Sequence, residues 1–288
     1  MDFGAVTHAV GHSFSFEKTL ATIRGLGFSS VLLLTSRDGE PVRPDGTCPQ
    51  PFPDVLHSDP EHVVKALKHA GLGLGALHVA FGKIDVESDQ GIDEAMAHLR
   101  EYAMLAVAMG CKFVTLPTPS CGRAHVPTQE KATEIRRFAR LMNTVAEAFA
   151  GEGIRVGCDI HHRAWVEGLD DCRLLLDSMP CENAGILMNI GHLTTAQSYG
   201  WLLVDEYPGR IPVVGWKDHS LARDRPRPMW SIELGTGHSP FELYIRRFKK
   251  HPDARIHLVN CEHVPDEARV ATLERSLKYM QTLWEEVS

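Results

Sequence analysis

The chain has 288 residues, of which 43% are hydrophobic and 23% are charged, as in a soluble globular protein and unlike a disordered chain. Its formal net charge is −7, from 30 basic and 37 acidic residues, and this balance disfavours binding to the phosphate backbone of nucleic acid. No stretch approaches the roughly 18 apolar residues of a membrane span, so no membrane partner is expected.

The N-terminus and the cysteines predict the compartment. Residues 1–20 show no basic segment followed by an apolar one, so no secretory signal is expected. The seven cysteines are scattered and form no C-x-x-C pair, which argues against a zinc ribbon or a thioredoxin-like motif. This usage is typical of a reducing compartment, and we expect a cytoplasmic protein.

Short apolar runs alternate along the chain with longer amphipathic segments. The runs are rich in Val, Ile, Leu and Phe, as expected of strands that are buried on both faces. The eight predicted strands cover residues 3–8, 28–35, 72–80, 111–117, 153–160, 184–190, 211–217 and 255–261.

Helical patterns lie between these runs. Ser58 and Ser239 each begin an S-x-x-E sequence, which predicts two capping boxes. Gly71, Gly110 and Gly153 are predicted to end helices just before the next strand. The last segment, residues 266–286, carries apolar residues on one helical face and is predicted to close an outer ring of helices.

Eight strand–helix units in alternation predict a single-domain (β/α)₈ TIM barrel over residues 1–288. The alternative is an open, doubly wound sheet. The chain lacks a Gly-rich phosphate fingerprint after its first strand, which favours the barrel and predicts no nucleotide cofactor. Two long loops, residues 36–56 and 218–238, should lie at the C-terminal rim of the barrel, where active sites are built.

Polar residues lie at the ends of predicted strands five to eight and directly after them. They are Asp159, His161, Asn189, His192, Lys217, Asp218, His219, Asn260 and Glu262. Because side chains alternate between the two faces of a strand, Asp159 should share a face with His161, Gly215 with Lys217, and Asn260 with Glu262. The sequence therefore predicts a polar cluster at one end of the barrel.

Several short motifs at these strand ends carry a resemblance to a known family. They are DIHH at 159–162, LMNIGHL at 187–193, GWKD at 215–218, HLVNCEH at 257–263 and SLKYM at 276–280. With the eight units, they resemble the sugar phosphate isomerase/epimerase group of xylose isomerase-like barrels. The resemblance implies an enzyme of carbohydrate metabolism. It also implies that a Glu, an Asp, a His and a Glu on strands five to eight hold a divalent metal, which polarises a hydroxy-carbonyl substrate.

The chain departs from that implied ligand set. Asp159 stands at the position of the first Glu, Asn189 at that of the Asp, Gly215 at that of the His, and Asn260 at that of the last Glu, unless a two-residue shift places Glu262 there. Hard divalent ions prefer anionic oxygens and imidazole, so we expect Mn, Co, Mg or Zn to bind weakly or not at all. The ligands of a rebuilt metal site would come from Asp159, His161, Asn189, His192, His219 and Glu262.

Lys217 suggests catalysis without a metal. It should share a face with Gly215, so its ammonium would lie near the implied metal position and could stabilise an oxyanion. Asp159 or Glu262 would be the base, and His161 or His192 the acid partner. The reaction would be proton abstraction next to a carbonyl of a sugar, a keto-sugar or a polyol derivative, giving isomerisation, epimerisation or β-elimination as in a lyase.

A second set of residues is expected to bind the substrate. Tryptophan faces commonly stack on sugar rings, and an arginine in the loop after strand seven could bind a phosphate or carboxylate. The expected substrate-binding residues are Asn189, Trp216, Asp218, His219, Arg223 and Asn260.

Other interpretations remain open. The chain could be a non-catalytic barrel that binds a small sugar-like ligand, or a metal-dependent phosphodiester hydrolase similar to endonuclease IV, which the acidic balance disfavours. His78 and His257 are predicted to be buried core residues. For His8 and His12 the sequence favours equally a position in the pocket and a purely structural role. The oligomeric state is open between a monomer and a homodimer, and the resemblance favours a homodimer because barrels of this group often pair.

Overall fold

The computed structural model of the chain describes residues 1–80, 85, 87–121, 127–221, 231–253 and 255–288. Within these residues, eight parallel strands close into a barrel, and a separate two-stranded antiparallel sheet follows the seventh of them. The strands are β1 Gly4–Val6, β2 Ser30–Leu34, β3 Gly73–His78, β4 Phe113–Pro117, β5 Arg155–Asp159, β6 Ala184–Asn189, β7 Val213–Trp216, β8 Asp218–His219, β9 Ser231–Ile232 and β10 Ile256–Val259.

Each barrel strand pairs with its neighbour along the chain, and β10 closes the barrel by pairing with both β7 and β1. Strands β8 and β9 pair with each other outside it. Each of the eight barrel strands lies within one of the predicted apolar runs, so the prediction of a TIM barrel is confirmed.

At least one helix follows each barrel strand. The helices are α1 Phe16–Gly25, α2 Pro60–Ala70, α3 Asp89–Met109, α4 Thr128–Ala148, α5 Leu169–Asp177, α6 Ile190–Thr195, α7 Leu202–Glu206, α8 Phe241–Lys250 and α9 Asp266–Glu286. Short 3₁₀ turns cover Thr7–Val10 and Pro208–Arg210. None of the helices in the described ranges has both the length and the apolar character needed to cross a bilayer.

Two apolar layers hold the barrel together. Leu32 points inward and belongs to a small cluster inside the barrel, whereas Val31 and Leu33 point outward into the larger core between strands and helices. This alternation is the period-two pattern of a strand that is covered on both faces. The inner cluster contains Val6, Leu32, Ala76, Leu187, Val213 and Leu258, and it forms the floor beneath the polar strand ends.

Glycines end two helices as predicted. Gly71 and Gly110 both have φ of 70° and follow α2 and α3 directly, in the left-handed conformation that glycine adopts without strain. Gly153 also has φ of 70°, but α4 has already ended at Ala148. Its place is therefore in the turn before β5 and not at the helix end.

The two predicted capping boxes are wrong. Helix α2 is capped by Asp59, whose carboxylate accepts the Glu61 N–H at 2.9 Å. Ser58 instead accepts the Val42 N–H at 2.9 Å. Ser239 does not cap α8 with its side chain, which donates to the Lys217 carbonyl at 3.1 Å. In both cases a tertiary contact takes the serine hydroxyl away from the helix end.

Candidate functional site

A cavity of about 210 Å³ opens at the C-terminal end of the barrel. Its floor and walls combine apolar barrel residues with polar side chains at the strand ends. The polar residues that line it are His8, His78, Asp159, His161, Asn189, Lys217, Asn260 and Glu262. Asp159 and His161 both face the cavity, as do Gly215 with Lys217 and Asn260 with Glu262, so the alternation of side chains along the strands continues for a few residues past the strand ends.

Glu262 is the centre of one polar cluster in the cavity. Its Oε1 atom lies 2.5 Å from Lys217 Nζ and 2.9 Å from His8 Nε2, and it accepts the Asn260 Nδ2–H at 2.8 Å. The Lys217 side chain is 4% exposed and that of Glu262 is 25% exposed. Burial alone would raise the pKa of Glu262, but Lys217 and His8 hold it well below its ordinary value. Glu262 is therefore a fixed carboxylate that positions the ammonium.

Asp159 belongs to a second, looser cluster, which is separated from the Glu262 cluster by Asn189. Its Oδ1 atom accepts the Asn189 Nδ2–H at 3.2 Å and lies 3.6 Å from His161 Nδ1. The Asp159 side chain is largely buried, whereas that of His161 is about one third exposed. Among the described residues Asp159 therefore has no contact with an ammonium such as Glu262 has, and an imidazole lies beside it.

His192 and His219 extend the imidazole cluster away from the cavity. The His192 ring centroid is 4.1 Å from that of His161 and 4.9 Å from that of His219. Burial, reinforced by His161 and Lys217, lowers the pKa of His192 well below its ordinary value. Its Nδ1 atom accepts the His162 backbone N–H at 3.3 Å, so the neutral ring carries its proton on Nε2.

Three of the remaining predicted substrate residues, Trp216, Asp218 and His219, do not line the cavity. Trp216 is fully buried in the outer core, where its ring stacks on His257 and its Nε1–H donates to His257 Nδ1 at 3.1 Å. This corrects the prediction that Trp216 contacts the substrate, because side-chain alternation along β7 turns it away from Gly215 and Lys217. Arg223 lies outside the described residues.

Asp218 and His219 hold the rim in place. Asp218 is 1% exposed, and its carboxylate accepts the backbone N–H groups of Gly235, Gly237 and Ser239 at 2.8–2.9 Å. His219 Nδ1 lies 2.8 Å from Thr195 Oγ1, and burial lowers its pKa to about 3. The expectation that these two side chains bind the substrate is corrected by their positions behind the cavity wall.

Two further histidines line the cavity. The sequence left the position of His8 open and predicted His78 to be a core residue. His8 contacts Glu262, and His78, at the end of β3, lies 2.8 Å from Thr115 Oγ1 through its Nδ1 atom. Burial lowers the pKa of His78 to about 4, so it is neutral near pH 7. His78 is two residues from the inward-facing Ala76 on β3 and therefore shares its face, which could have revealed this position. His257 is a core residue as predicted.

The donor set at the cavity does not fit the divalent metal that the resemblance implies. Gly215 offers no ligand, and the Lys217 ammonium occupies a bonding position at Glu262. The amides of Asn189 and Asn260 turn N–H groups, not oxygens, toward the two carboxylates. Across the part of the chain that the structure describes, no group of three or more His, Cys, Asp or Glu side chains could hold a metal ion.

Several solved structures share this fold along nearly their whole length. L-ribulose 3-epimerase has 17% sequence identity and a TM-score of 0.75, with 100% of this chain and 96% of that chain covered. The 3-keto-D-glucoside 4-epimerase YcjR from E. coli has 13% identity and a TM-score of 0.74, with 98% and 99% covered. The IOLI protein with a binding zinc atom has 11% identity and a TM-score of 0.76, with 100% and 99% covered.

A comparison with curated proteins gave no significant match. The family model of the xylose isomerase-like TIM barrel matches residues 20–283, which is most of the chain and includes seven of the eight barrel strands. The closed parallel barrel and the polar strand ends at its C-terminal mouth agree with that match. The chain therefore belongs to the xylose isomerase-like TIM barrel family.

Proposed function

We propose that the protein is an isomerase or epimerase of a small sugar, keto-sugar or polyol derivative, and that it moves a proton on the carbon next to a carbonyl group. The observation that carries this proposal is the arrangement in one cavity of a buried ammonium, Lys217, and two carboxylates, Asp159 and Glu262. Two structures that share the fold are named as sugar epimerases, which supports the substrate class.

Lys217 is the group that stabilises negative charge. When a proton leaves the carbon next to a carbonyl, charge develops on the carbonyl oxygen, and an enzyme stabilises it with a donor that is already in place. The Lys217 ammonium is almost fully buried and is held by Glu262. An oxygen bound beside it would meet a positive charge with little competing water, so carbonyl activation would come from the chain itself.

Asp159 is the better base of the two carboxylates. Glu262 bonds to three donors through one oxygen, and its pKa is held well below the ordinary value, so it has little tendency to take a proton. Asp159 accepts one amide N–H at 3.2 Å and lies on the cavity wall. A general base needs a free lone pair within reach of the substrate, which favours the less strongly bound carboxylate.

His161 is the candidate for the second proton transfer. It lines the cavity, its side chain is partly exposed, and its Nδ1 atom is 3.6 Å from Asp159 Oδ1. His192 lies behind it and is held neutral by its lowered pKa. We therefore propose that His161 takes the abstracted proton from Asp159, which leaves Asp159 ionised again, and returns it to the substrate, while His192 orients the His161 ring.

The proposal is tested by solvent exchange. Ketoses and aldoses are incubated with the full chain in deuterated water, and deuterium at the carbon next to the carbonyl is followed by NMR. The wild-type protein should label at least one sugar, and Asp159→Asn should reduce the rate by at least about 100-fold. Asp170→Asn, which alters a 92% exposed carboxylate, is the matched control and should exchange at the wild-type rate.

The same spectra separate the alternatives. Loss of a β-hydroxyl from the labelled sugar would identify the lyase outcome. If no sugar is labelled, the proposed activity is contradicted, and a non-catalytic sugar-binding barrel becomes the better description of the chain.

A further inference from the structure

Asn189 and Asn260 share an unusual bonding state. Both side chains line the cavity, and the residues are 2% and 3% exposed. Each amide donates an Nδ2–H to a carboxylate, Asn189 to Asp159 at 3.2 Å and Asn260 to Glu262 at 2.8 Å. Because an ionised carboxylate can only accept, the chemistry of these contacts fixes which end of each amide is the nitrogen.

The other end of each amide has no partner within the protein. Among the described residues, the Oδ1 atoms of Asn189 and Asn260 are buried and accept no hydrogen bond. Buried carbonyl oxygens in proteins are nearly always bonded, and leaving one unpaired is unfavourable. Two such oxygens in one cavity indicate that the ligand supplies two hydrogen-bond donors.

The position of the two amides relative to Lys217 defines where the donors lie on the ligand. Asn189 ends β6 and Asn260 follows β10, and β7, which leads to Lys217, is the strand between them. All three side chains point into the same cavity. A ligand that places its carbonyl oxygen at Lys217 therefore has one of the two amides on each side of it.

We infer that Asn189 and Asn260 form a subsite for two hydroxyl groups, one on each carbon next to the carbonyl of an uncharged ketose. A hydroxyl can donate to an amide oxygen, whereas a phosphate or carboxylate offers only acceptors near neutral pH and would meet two carboxylates. An aldose has its carbonyl at the end of the chain and can satisfy one amide only. The carbonyl placement rests on the proposed function, but recognition of the hydroxyls requires no turnover.

The wild-type protein can be used to test whether the ligand's hydroxyl groups contribute to binding. Xylulose and 1-deoxyxylulose differ by one hydroxyl next to the carbonyl, and their dissociation constants are measured by titration calorimetry with the full chain. Xylulose should bind at least about tenfold more tightly, since the deoxy analogue leaves one amide oxygen unpaired. Equal affinities, or no binding of xylulose, would overturn the inference.

The two asparagines are tested with Asn189→Leu and Asn260→Leu, which keep the side-chain size and remove both the oxygen and the Nδ2–H that each amide donates to a carboxylate. Each variant should weaken xylulose binding at least about tenfold, and one of the two should bind xylulose and 1-deoxyxylulose equally, because the missing hydroxyl and the missing oxygen belong to one contact. Wild-type xylulose affinity in both variants would contradict the inference. Binding of Mn²⁺ or Mg²⁺ that both variants abolish would also overturn it, by showing that these oxygens bind a cation.

These results are independent of the exchange experiment. Selective binding of xylulose without deuterium labelling would contradict the proposed activity and leave the hydroxyl subsite standing. Labelling of ketoses by both leucine variants at the wild-type rate and affinity would leave the activity standing and remove the subsite.

Discussion

Replacing Lys217 with methionine removes the ammonium and leaves Glu262 as a carboxylate in the barrel mouth. Breaking a buried ion pair by removing one partner typically costs about 3–5 kcal/mol. Glu262 is 25% exposed and keeps its contacts with His8 and Asn260, so the free energy of unfolding of Lys217→Met should fall by about 3 kcal/mol, at the lower end of that range. Glu262→Gln should cost a similar amount, because it leaves the ammonium buried without its counter-charge.

The double variant shows whether Lys217 and Glu262 stabilise the fold as an ion pair or only by the space that their side chains fill. Lys217→Met with Glu262→Gln buries no unpaired charge, so its loss should be smaller than the sum of the single losses by at least about 2 kcal/mol. Urea unfolding followed by circular dichroism at pH 7 measures all four proteins. Losses that add to within about 0.5 kcal/mol would show that the two side chains are not coupled in solution and would contradict the ion pair.

A pH series gives an independent check on the same pair. The pKa of Glu262 is lowered in the folded protein, so its contribution to stability is present above the unfolded pKa of about 4.3 and is lost as the pH falls through the folded pKa. The difference between wild type and Lys217→Met should therefore shrink below about pH 4.3. A difference that is constant with pH would indicate a packing defect and not the loss of a charge pair.

Burial lowers the pKa of His219 and His257 to about 3, whereas a histidine in the unfolded chain has a pKa of about 6.5. The unfolded chain therefore binds more protons than the folded protein at mildly acidic pH. Each of the two histidines should reduce the free energy of unfolding by about 1.4 kcal/mol for each pH unit of acidification from about pH 5.5 to 4. His257→Asn should flatten the pH dependence of urea unfolding by that slope, and an unchanged slope would contradict the burial argument. Gly191→Ala would place a methyl group 2.5 Å from His219 Cδ2 and should destabilise the protein by about 1–3 kcal/mol. Gly209→Ala, which has no described atom within 4 Å, should change the unfolding free energy by less than about 0.5 kcal/mol. The methyl group of Gly215→Ala meets no atom of the described residues closer than 3.4 Å, so this variant should keep its stability but weaken xylulose binding in calorimetry by narrowing the cavity; unchanged binding would place the ligand elsewhere.

Much of the fold follows from the sequence because strands that are buried on both faces read as short apolar runs. Side-chain alternation along each strand also places Asp159 with His161, and Gly215 with Lys217, on the cavity side. Applied consistently, the same alternation turns Trp216 into the outer core, where the structure has it. That misassignment came from residue chemistry, since a tryptophan at a rim suggests sugar stacking even where its strand position does not allow it.

Other features depend on contacts that are distant in the sequence. His8 follows β1 within a 3₁₀ turn, so strand alternation gives no indication that it reaches Glu262. Asp218 accepts three backbone N–H groups from residues 17 to 21 positions further along the chain, and its residue type alone equally suggests a ligand contact. Ser58 and Ser239 match a capping motif, but tertiary partners take their hydroxyls.

In the proposed mechanism, the ammonium of Lys217 activates the carbonyl group and no divalent metal is needed. The most direct test follows deuterium incorporation into a ketose by protein that has been treated with a chelator and freed of metal. If Lys217 supplies the positive charge, the metal-free protein should exchange at the untreated rate, and Lys217→Met should lose the exchange. Exchange that disappears on chelation and returns with Mn²⁺, Co²⁺ or Zn²⁺ would contradict this mechanism.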